Sequence, residues 1–329
     1  MSILVVFTGG TIGSLNNDGV ISPDSSSNYR LIEMYKSAGG NADFDTAAPY
    51  TLLSENLTGE YFSLLYNSIL ENINRDYDGI IVTHGTDTLQ YTSAALSYFF
   101  GLCRTPIVLV SANYPLDNPN SNGLNNFKAA VDFISSGSHR GVFTAYKNDS
   151  DNPKIHRASR LQNHLAYDDK LYSIDDKYYG EFIGEEFRKN SDYSEKSDEL
   201  RLDFIPKFSA DSPILKITPY VGMRFPENLD NVKAILLESY HSGTINTSNQ
   251  ELKNFCQSAK ALSIPVFLTG SKAGFFYESK KLYSELGINV LPPAAPTAAY
   301  IKLWLLSEYY NSSEDIFSAF SKSLGGDLL

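Results

Sequence analysis

Ile3-Leu4-Val5-Val6-Phe7 runs directly into Thr8-Gly9-Gly10-Thr11-Ile12-Gly13, and Gly79-Ile80-Ile81-Val82 runs into Thr83-His84-Gly85-Thr86-Asp87-Thr88. Both apolar runs are rich in Ile, Val and Leu and do not alternate with polar residues. That pattern marks strands covered on both faces, as in a parallel sheet. Residues 107–110, 234–237 and 265–268 repeat it, ending at Ser111-Ala112-Asn113, Glu238-Ser239 and Thr269-Gly270. Helical spacing fills 60–75, 89–103, 123–137, 250–262 and 297–310. The alternation predicts an α/β fold of two domains. A larger N-terminal domain over 1–208, with a doubly wound, mostly parallel sheet, is followed by a link at 209–213 and a smaller C-terminal α/β domain over 214–329. The polar stretch 148–208 breaks the rhythm. Within it 185–199 reads as a solvated loop or helix face, and 200–207 as a strand leading out.

The 329 residues are 42% hydrophobic and 20% charged, a globular composition that sets aside collagen, coiled coil and disorder. Lys plus Arg number 27 against 38 Asp plus Glu, a net charge of −11. With no basic run, nucleic acid is not an expected partner. Cys103 and Cys256 make no Cys-x-x-Cys, and the five histidines show no ligand spacing, so no metal is expected. Neither a Gly-x-Gly-x-x-Gly nor a Gly-x-x-x-x-Gly-Lys-Ser/Thr occurs, and no cofactor is expected. The N-terminus lacks a basic region and a cleavage site, and no apolar stretch reaches the roughly 20 residues that cross a bilayer. The expectation is a cytoplasmic protein that handles a small molecule away from membranes.

Chemistry is expected where parallel strands end, because loops there present hydroxyls and backbone N–H groups. Thr8-Gly9-Gly10-Thr11 alone reads better as a strand-to-loop turn. In Thr83-His84-Gly85-Thr86-Asp87-Thr88, capping by Thr86 or Asp87 explains one polar residue but not the block. A third stretch, Ser54-Glu55-Asn56-Leu57-Thr58-Gly59, serves as a helix entry capped by Thr58 or holds polar groups of a ligand. Threonine is a weak nucleophile that needs a neighbouring base, and amide hydrolysis needs donors where the carbonyl oxygen becomes negative. Two threonine loops, one with an acid beside it, suit that reaction.

Taken together and in this order, Thr-Gly-Gly-Thr-Ile-Gly at 8–13, Ser-Glu-Asn-Leu-Thr-Gly at 54–59 and His-Gly-Thr-Asp-Thr at 84–88 resemble the bacterial-type L-asparaginases, which include the asparaginase-glutaminases. The resemblance implies hydrolysis of L-asparagine to L-aspartate and ammonia through an acyl-enzyme. It assigns Thr11 as nucleophile, Thr86 and Asp87 as the second threonine and its acid, and Asp87 also as the group that holds the substrate's amino group. Ser54 is implied at the α-carboxylate, Glu55 where asparagine and glutamine are told apart, and Gly85 in backbone contact with the substrate. It further implies a homo-oligomer, a dimer of dimers in which a neighbour's C-terminal domain completes each site.

Three departures from the family pattern stand out. The lysine that pairs with the second threonine and Asp is replaced, by register, by Asn163, which supplies neither an ammonium nor a base. His164 is adjacent and Lys170 further along. The loop 14–21 carries no tyrosine to assist Thr11, and the nearest is Tyr29. Thr244 stands for an asparagine that reaches the neighbour's site, with Glu278 as a candidate acid. Two alternatives therefore accompany asparagine hydrolysis: a catalytically weakened amino-acid-binding paralogue, and an amidase for another ω-amide such as glutamine.

Overall fold

The computed structural model describes residues 1–17, 20–23, 27–196, 199–200, 202–271 and 277–329, with the backbone alone at 14–17, 20–23, 27 and 28. The chain divides into two compact units, Met1–Ser194 and Glu195–Leu329.

In the first unit β1 (Ser2–Phe7) is followed by a β2–β3 hairpin (Ser14–Asn17, Val20–Pro23), α1 (Ser27–Ser37) and β4 (Asp43–Ala47). The next elements are α2 (Gly59–Leu70), β5 (Gly79–Thr83), α3 (Leu89–Phe100), β6 (Ile107–Val110), α4 (Gly123–Ser135) and β7 (Val142–Tyr146). Three further strands, β8 (Lys154–Arg157), β9 (Gly180–Ile183) and β10 (Glu186–Lys189), complete an eight-stranded sheet of order β10-β9-β8-β7-β6-β5-β1-β4. Every pair from β4 to β7 is parallel, and β8, β9 and β10 add on antiparallel.

Side chains of successive strand residues point to opposite faces, and here both faces are core. Ile3, Val5 and Phe7 pack with Leu31 of α1 and Phe127, Ala130 and Phe133 of α4. Leu4 and Val6 pack with Leu65 and Ile69 of α2 and Leu96 of α3. Helices on both faces are the reason these strands read as unbroken apolar runs.

The second unit holds β11 (Ile214–Ile217), β12 (Ala234–Glu238), α5 (Gln250–Ala261), β13 (Val266–Thr269), β14 (Ile288–Val290), α6 (Pro296–Ser307) and α7 (Ser313–Phe320), with a four-stranded parallel sheet β11-β12-β13-β14. Residues 209–213 lie within this unit. In the middle of α6, Lys302 is fully buried, 2.8 Å from the equally buried Asp327, and its ammonium also donates to the carbonyls of Phe320 and Lys322.

Two expectations for the polar stretch fail. Residues 185–199 do not form only a solvated loop or helix face, because they contain β10, which pairs with β9. Antiparallel strands need only one apolar face, so Phe182 and Phe187 pack on the core while Glu186 and Arg188 face solvent. Residues 200–207 form no strand among those described. Pro206 lacks the N–H a ladder requires, and the segment is held instead by Phe204 stacking on Tyr309 and by the Leu200 N–H on the Ser323 carbonyl.

Candidate active site

Past the end of β1, Thr8 Oγ1 donates to the Thr83 carbonyl at 2.6 Å, tying the first strand end to that of β5. The chain at Leu52 runs alongside, with Gly10 N–H on the Leu52 carbonyl (3.0 Å) and Leu52 N–H on the Thr8 carbonyl (3.1 Å). Gly10 has φ +77°, and a Cβ there would lie 2.3 Å from the Gly85 nitrogen. A Cβ on Gly85 would in turn lie 2.4 Å from Ser54 Oγ. Only glycine admits so close an approach of backbone to backbone, so the loops of Thr11, Ser54 and Thr86 interlock.

Thr11 opens a single 3₁₀ turn, Thr11–Gly13, closed by Gly13 N–H on the Gly10 carbonyl at 3.0 Å. It is half-buried beside buried Ile12 and Gly13. Ser54 is buried at the start of the 3₁₀ turn Ser54–Asn56, and Glu55 beside it is exposed. Thr58 is the N-cap residue of α2, as expected, although its side chain makes no capping bond. The N-cap of α3 is Thr88 rather than Thr86 or Asp87. Its hydroxyl donates to the Ser54 carbonyl at 2.9 Å instead of capping the helix. Capping therefore does not occupy Thr86 or Asp87, which are half-buried and exposed respectively.

His84 has a structural task. Its Nδ1 faces the Gly85 carbonyl at 2.8 Å and so carries the proton, while Nε2 accepts from Thr92 Oγ1 at 2.8 Å. Burial pushes its pKa down to about 4, and the neutral ring fixes the Gly85 peptide.

Thr86 and Asp87 line a cavity of about 240 Å³ with Tyr146, His164, Leu165, Ala166, Tyr167, Asp168 and Asp169. Asp87, Asp168 and Asp169 make its wall acidic, which suits a ligand's ammonium group. The Tyr146 hydroxyl donates to the Asp169 carbonyl at 2.7 Å, and its ring stands 5.7 Å from that of His164. Burial pushes His164 below the usual histidine range, against the opposing pull of the Asp87, Asp169 and Asp168 charges and a hydrogen bond to the Lys170 backbone. Asn163, exposed, and Lys170 are not among the lining residues.

Thr86, Asp87 and His164 thus share one cavity, while Ser54 and Gly85 meet through the glycine contact. Neither Thr11 nor Glu55 lines that cavity. Part of the loop 14–21, at Asp18 and Gly19, lies outside the described residues. Tyr29 on α1 is exposed. In the second unit Thr244 sits in a tight loop after β12, its hydroxyl 2.9 Å from that of Ser242, and Glu278 starts an exposed 3₁₀ turn. Sequence reasoning missed Tyr146, Asp168 and Asp169. Tyr146 ends β7, a strand the sequence reading did not find because Thr144 breaks its apolar run, and the two aspartates looked like any solvated pair.

Residues 2–193 match the family model described as Asparaginase, N-terminal. The chain belongs to the asparaginase family. The thermostable L-asparaginase from Thermococcus kodakarensis superposes with a TM-score of 0.81 at 25% identity, covering 100% of this chain and 99% of that one. L-asparaginase I from Vibrio cholerae shares the fold with a TM-score of 0.78 at 22% identity, over 100% and 99% of the two chains. Among curated relatives, a subunit of the glutamyl-tRNA(Gln) amidotransferase of Methanosarcina barkeri is 29% identical over 81% of this chain and 65% of its own length. The corresponding polypeptide of Sulfolobus acidocaldarius is 26% identical over 99% of this chain and 75% of its own length. This asparaginase-family chain therefore spans about two thirds to three quarters of these relatives. Among the described residues no helix is long and apolar enough to cross a membrane, and no three His, Cys, Asp or Glu side chains are grouped to hold a metal ion.

Proposed function

We propose that the protein hydrolyses the side-chain amide of L-asparagine to give L-aspartate and ammonia. The observation that carries this reading is the interlock of Gly10, Gly85 and Ser54, which draws the loops of the two threonines and the serine together within a family of amide hydrolases. Thr11 Oγ1 attacks the amide carbon, the C–N bond breaks, ammonia leaves, and water then hydrolyses the Thr11 ester. Asp87 pairs with the substrate ammonium, Ser54 takes its α-carboxylate, Gly85 gives a backbone contact, and Glu55 adjusts the choice between amides. Backbone N–H groups of the glycine turn offer preorganised donors to the oxyanion. A cytoplasmic dimer of dimers, with each neighbour's Thr244 and Glu278 region closing a site, is part of the same reading.

Ammonia release from L-asparagine that Thr11→Ala abolishes is the expected result. Undiminished release by Thr11→Ala rejects the nucleophile. The names of the amidotransferase relatives favour glutamine as a second candidate substrate, and comparing the two amides side by side decides between them. A rise in melting temperature with L-asparagine but no ammonia points to the binding-only alternative raised by Asn163.

A further inference from the structure

Tyr146, the last residue of β7, is almost fully buried and lines the same cavity as Thr86 and Asp87. The remaining lining residues, 164–169, all belong to one loop. That loop is closed at its base by an antiparallel bridge between Leu161 and Ser173 and by the Gln162 N–H on the Tyr172 carbonyl at 2.9 Å. Its tip is wet, with Leu165 68% exposed and Tyr167 wholly exposed. Apolar burial therefore contributes little to holding the tip, and hydrogen bonds have to do it. Within the loop the Asp168 N–H meets the Leu165 carbonyl at 3.2 Å, and the Lys170 N–H meets Asp168 Oδ1 at 3.1 Å. Two side chains tie it to the end of β7. Asn148 brackets Leu171, accepting its N–H at 2.9 Å and donating to its carbonyl at 3.2 Å. The Tyr146 hydroxyl donates to the Asp169 carbonyl at 2.7 Å. Of the two, Tyr146 alone lines the cavity. Burial pushes its pKa up to about 12, so the hydroxyl stays a donor across the neutral range.

We propose that Tyr146 is a specificity-determining positioning residue, which tethers the Asp169 peptide to the end of β7 and so fixes the length of amino-acid amide that the site accepts. The proposal rests on the amide-hydrolase reading and adds a residue that governs its choice of substrate. Asp87 lines this cavity, whereas Thr11 and Glu55 do not. An amino acid held by its ammonium at Asp87, with its amide at Thr11, therefore has a fixed span. How far its ammonium end can retreat depends on the loop wall at 164–169. Asparagine and glutamine differ by one methylene, which a wall that does not yield converts into a preference of about 10- to 200-fold. An exposed loop left to itself yields. One held by a phenol on a buried strand does not, because a locked neighbour on a rigid element supplies the positional precision that the loop lacks.

The test is ammonia release from L-asparagine and from L-glutamine by the unmodified protein and by Tyr146→Phe, which keeps the ring and removes only the hydroxyl. The preference between the two amides, taken as the ratio of their kcat/KM values, is expected to shrink about 10-fold. For the favoured amide the loss falls on KM, with kcat within a few-fold. Hydrogen exchange of the amides at 164–170 is expected to quicken in the same variant. Asn148→Ala, which frees the loop at Leu171, shifts the ratio in the same direction and decides the matter if Tyr146→Phe does not fold. A purely structural role for the hydroxyl lowers both amides alike, so an unchanged ratio overturns the proposal and leaves the Thr11 reading intact. An unmodified protein that turns over both amides equally well overturns it too. No release from either amide by the unmodified protein overturns both readings together.

Discussion

Gly10 and Gly85 meet backbone to backbone, so that a methyl group on Gly10 would stand 2.3 Å from the Gly85 nitrogen and 2.4 Å from its Cα. The first prediction follows from this contact. Gly10→Ala incurs both a left-handed conformation and an overpacked neighbour, about 2–5 kcal/mol together. The loops of Thr11 and Thr86 must then separate. A thermal melt is expected to show lost stability, and ammonia release is expected to fall further than stability alone explains. A variant with the original melting temperature and rate refutes the interlock.

Ser54→Ala tests substrate binding separately from chemistry. A hydroxyl lost from a carboxylate contact removes about 1.5–3 kcal/mol, so KM is expected to rise about 10- to 100-fold with kcat moved much less. Steady-state kinetics with asparagine checks it. An equal loss in kcat would move Ser54 from holding the substrate to the reacting centre.

Acid is expected to destabilise the fold through its buried histidines. Burial lowers His84 to about 4, His139 to about 4 and His156 to about 3. The unfolded chain, with histidines near 6.5, binds these protons first, so stability is fully present above pH 6.5 and is lost as pH falls from there towards 3. His84 alone accounts for roughly 3 kcal/mol at most. Urea unfolding at a series of pH values measures the slope, and His84→Gln is expected to make it shallower. A flat profile between pH 7 and 5 contradicts the buried neutral rings.

Asp327→Ala isolates the charge clasp of the second unit. Lys302 and Asp327 are both fully buried at 2.8 Å, and Asp327 also accepts the Leu324 N–H at 2.9 Å. Removing one partner strands an ammonium in the core at about 3–5 kcal/mol. The double variant Lys302→Met, Asp327→Leu is expected to lose less than either single change, as chemical denaturation will show.

The architecture was legible in the sequence where a strand is an unbroken apolar run, and β7, Val142-Phe143-Thr144-Ala145-Tyr146, was missed although it is buried throughout because Thr144 interrupts its run. β1, β5, β6, β12 and β13 advertise themselves because helices cover both sides, leaving no polar residue in the run. The edge strand β4, Asp43-Phe44-Asp45-Thr46-Ala47, and the antiparallel β9 and β10 were lost to the same reading, since they keep a wet face, and β8, Lys154-Ile155-His156-Arg157, was lost because its mostly buried run carries Lys, His and Arg. The family blocks around Thr11, Ser54 and Thr86 were visible because each is short and local.

What the sequence determined by itself, then, is the set of strand-end loops and the hydroxyls and acid they carry. The residues that share a space were decided only by tertiary structure. Asp87 and His164 are 77 positions apart and are brought to one cavity because β5 and β7 run parallel with β6 between them, while Asp169 and Leu171 are tied to the end of β7 by the Tyr146 hydroxyl and the Asn148 side chain. Whether His84 or His164 keeps a bare ring nitrogen was equally beyond any motif. It depends on Thr92 being one helical turn into α3 and reaching the first ring, and on no described side chain reaching the second. Hydrogen-bond satisfaction is a property of packed neighbours, and a linear pattern does not contain it.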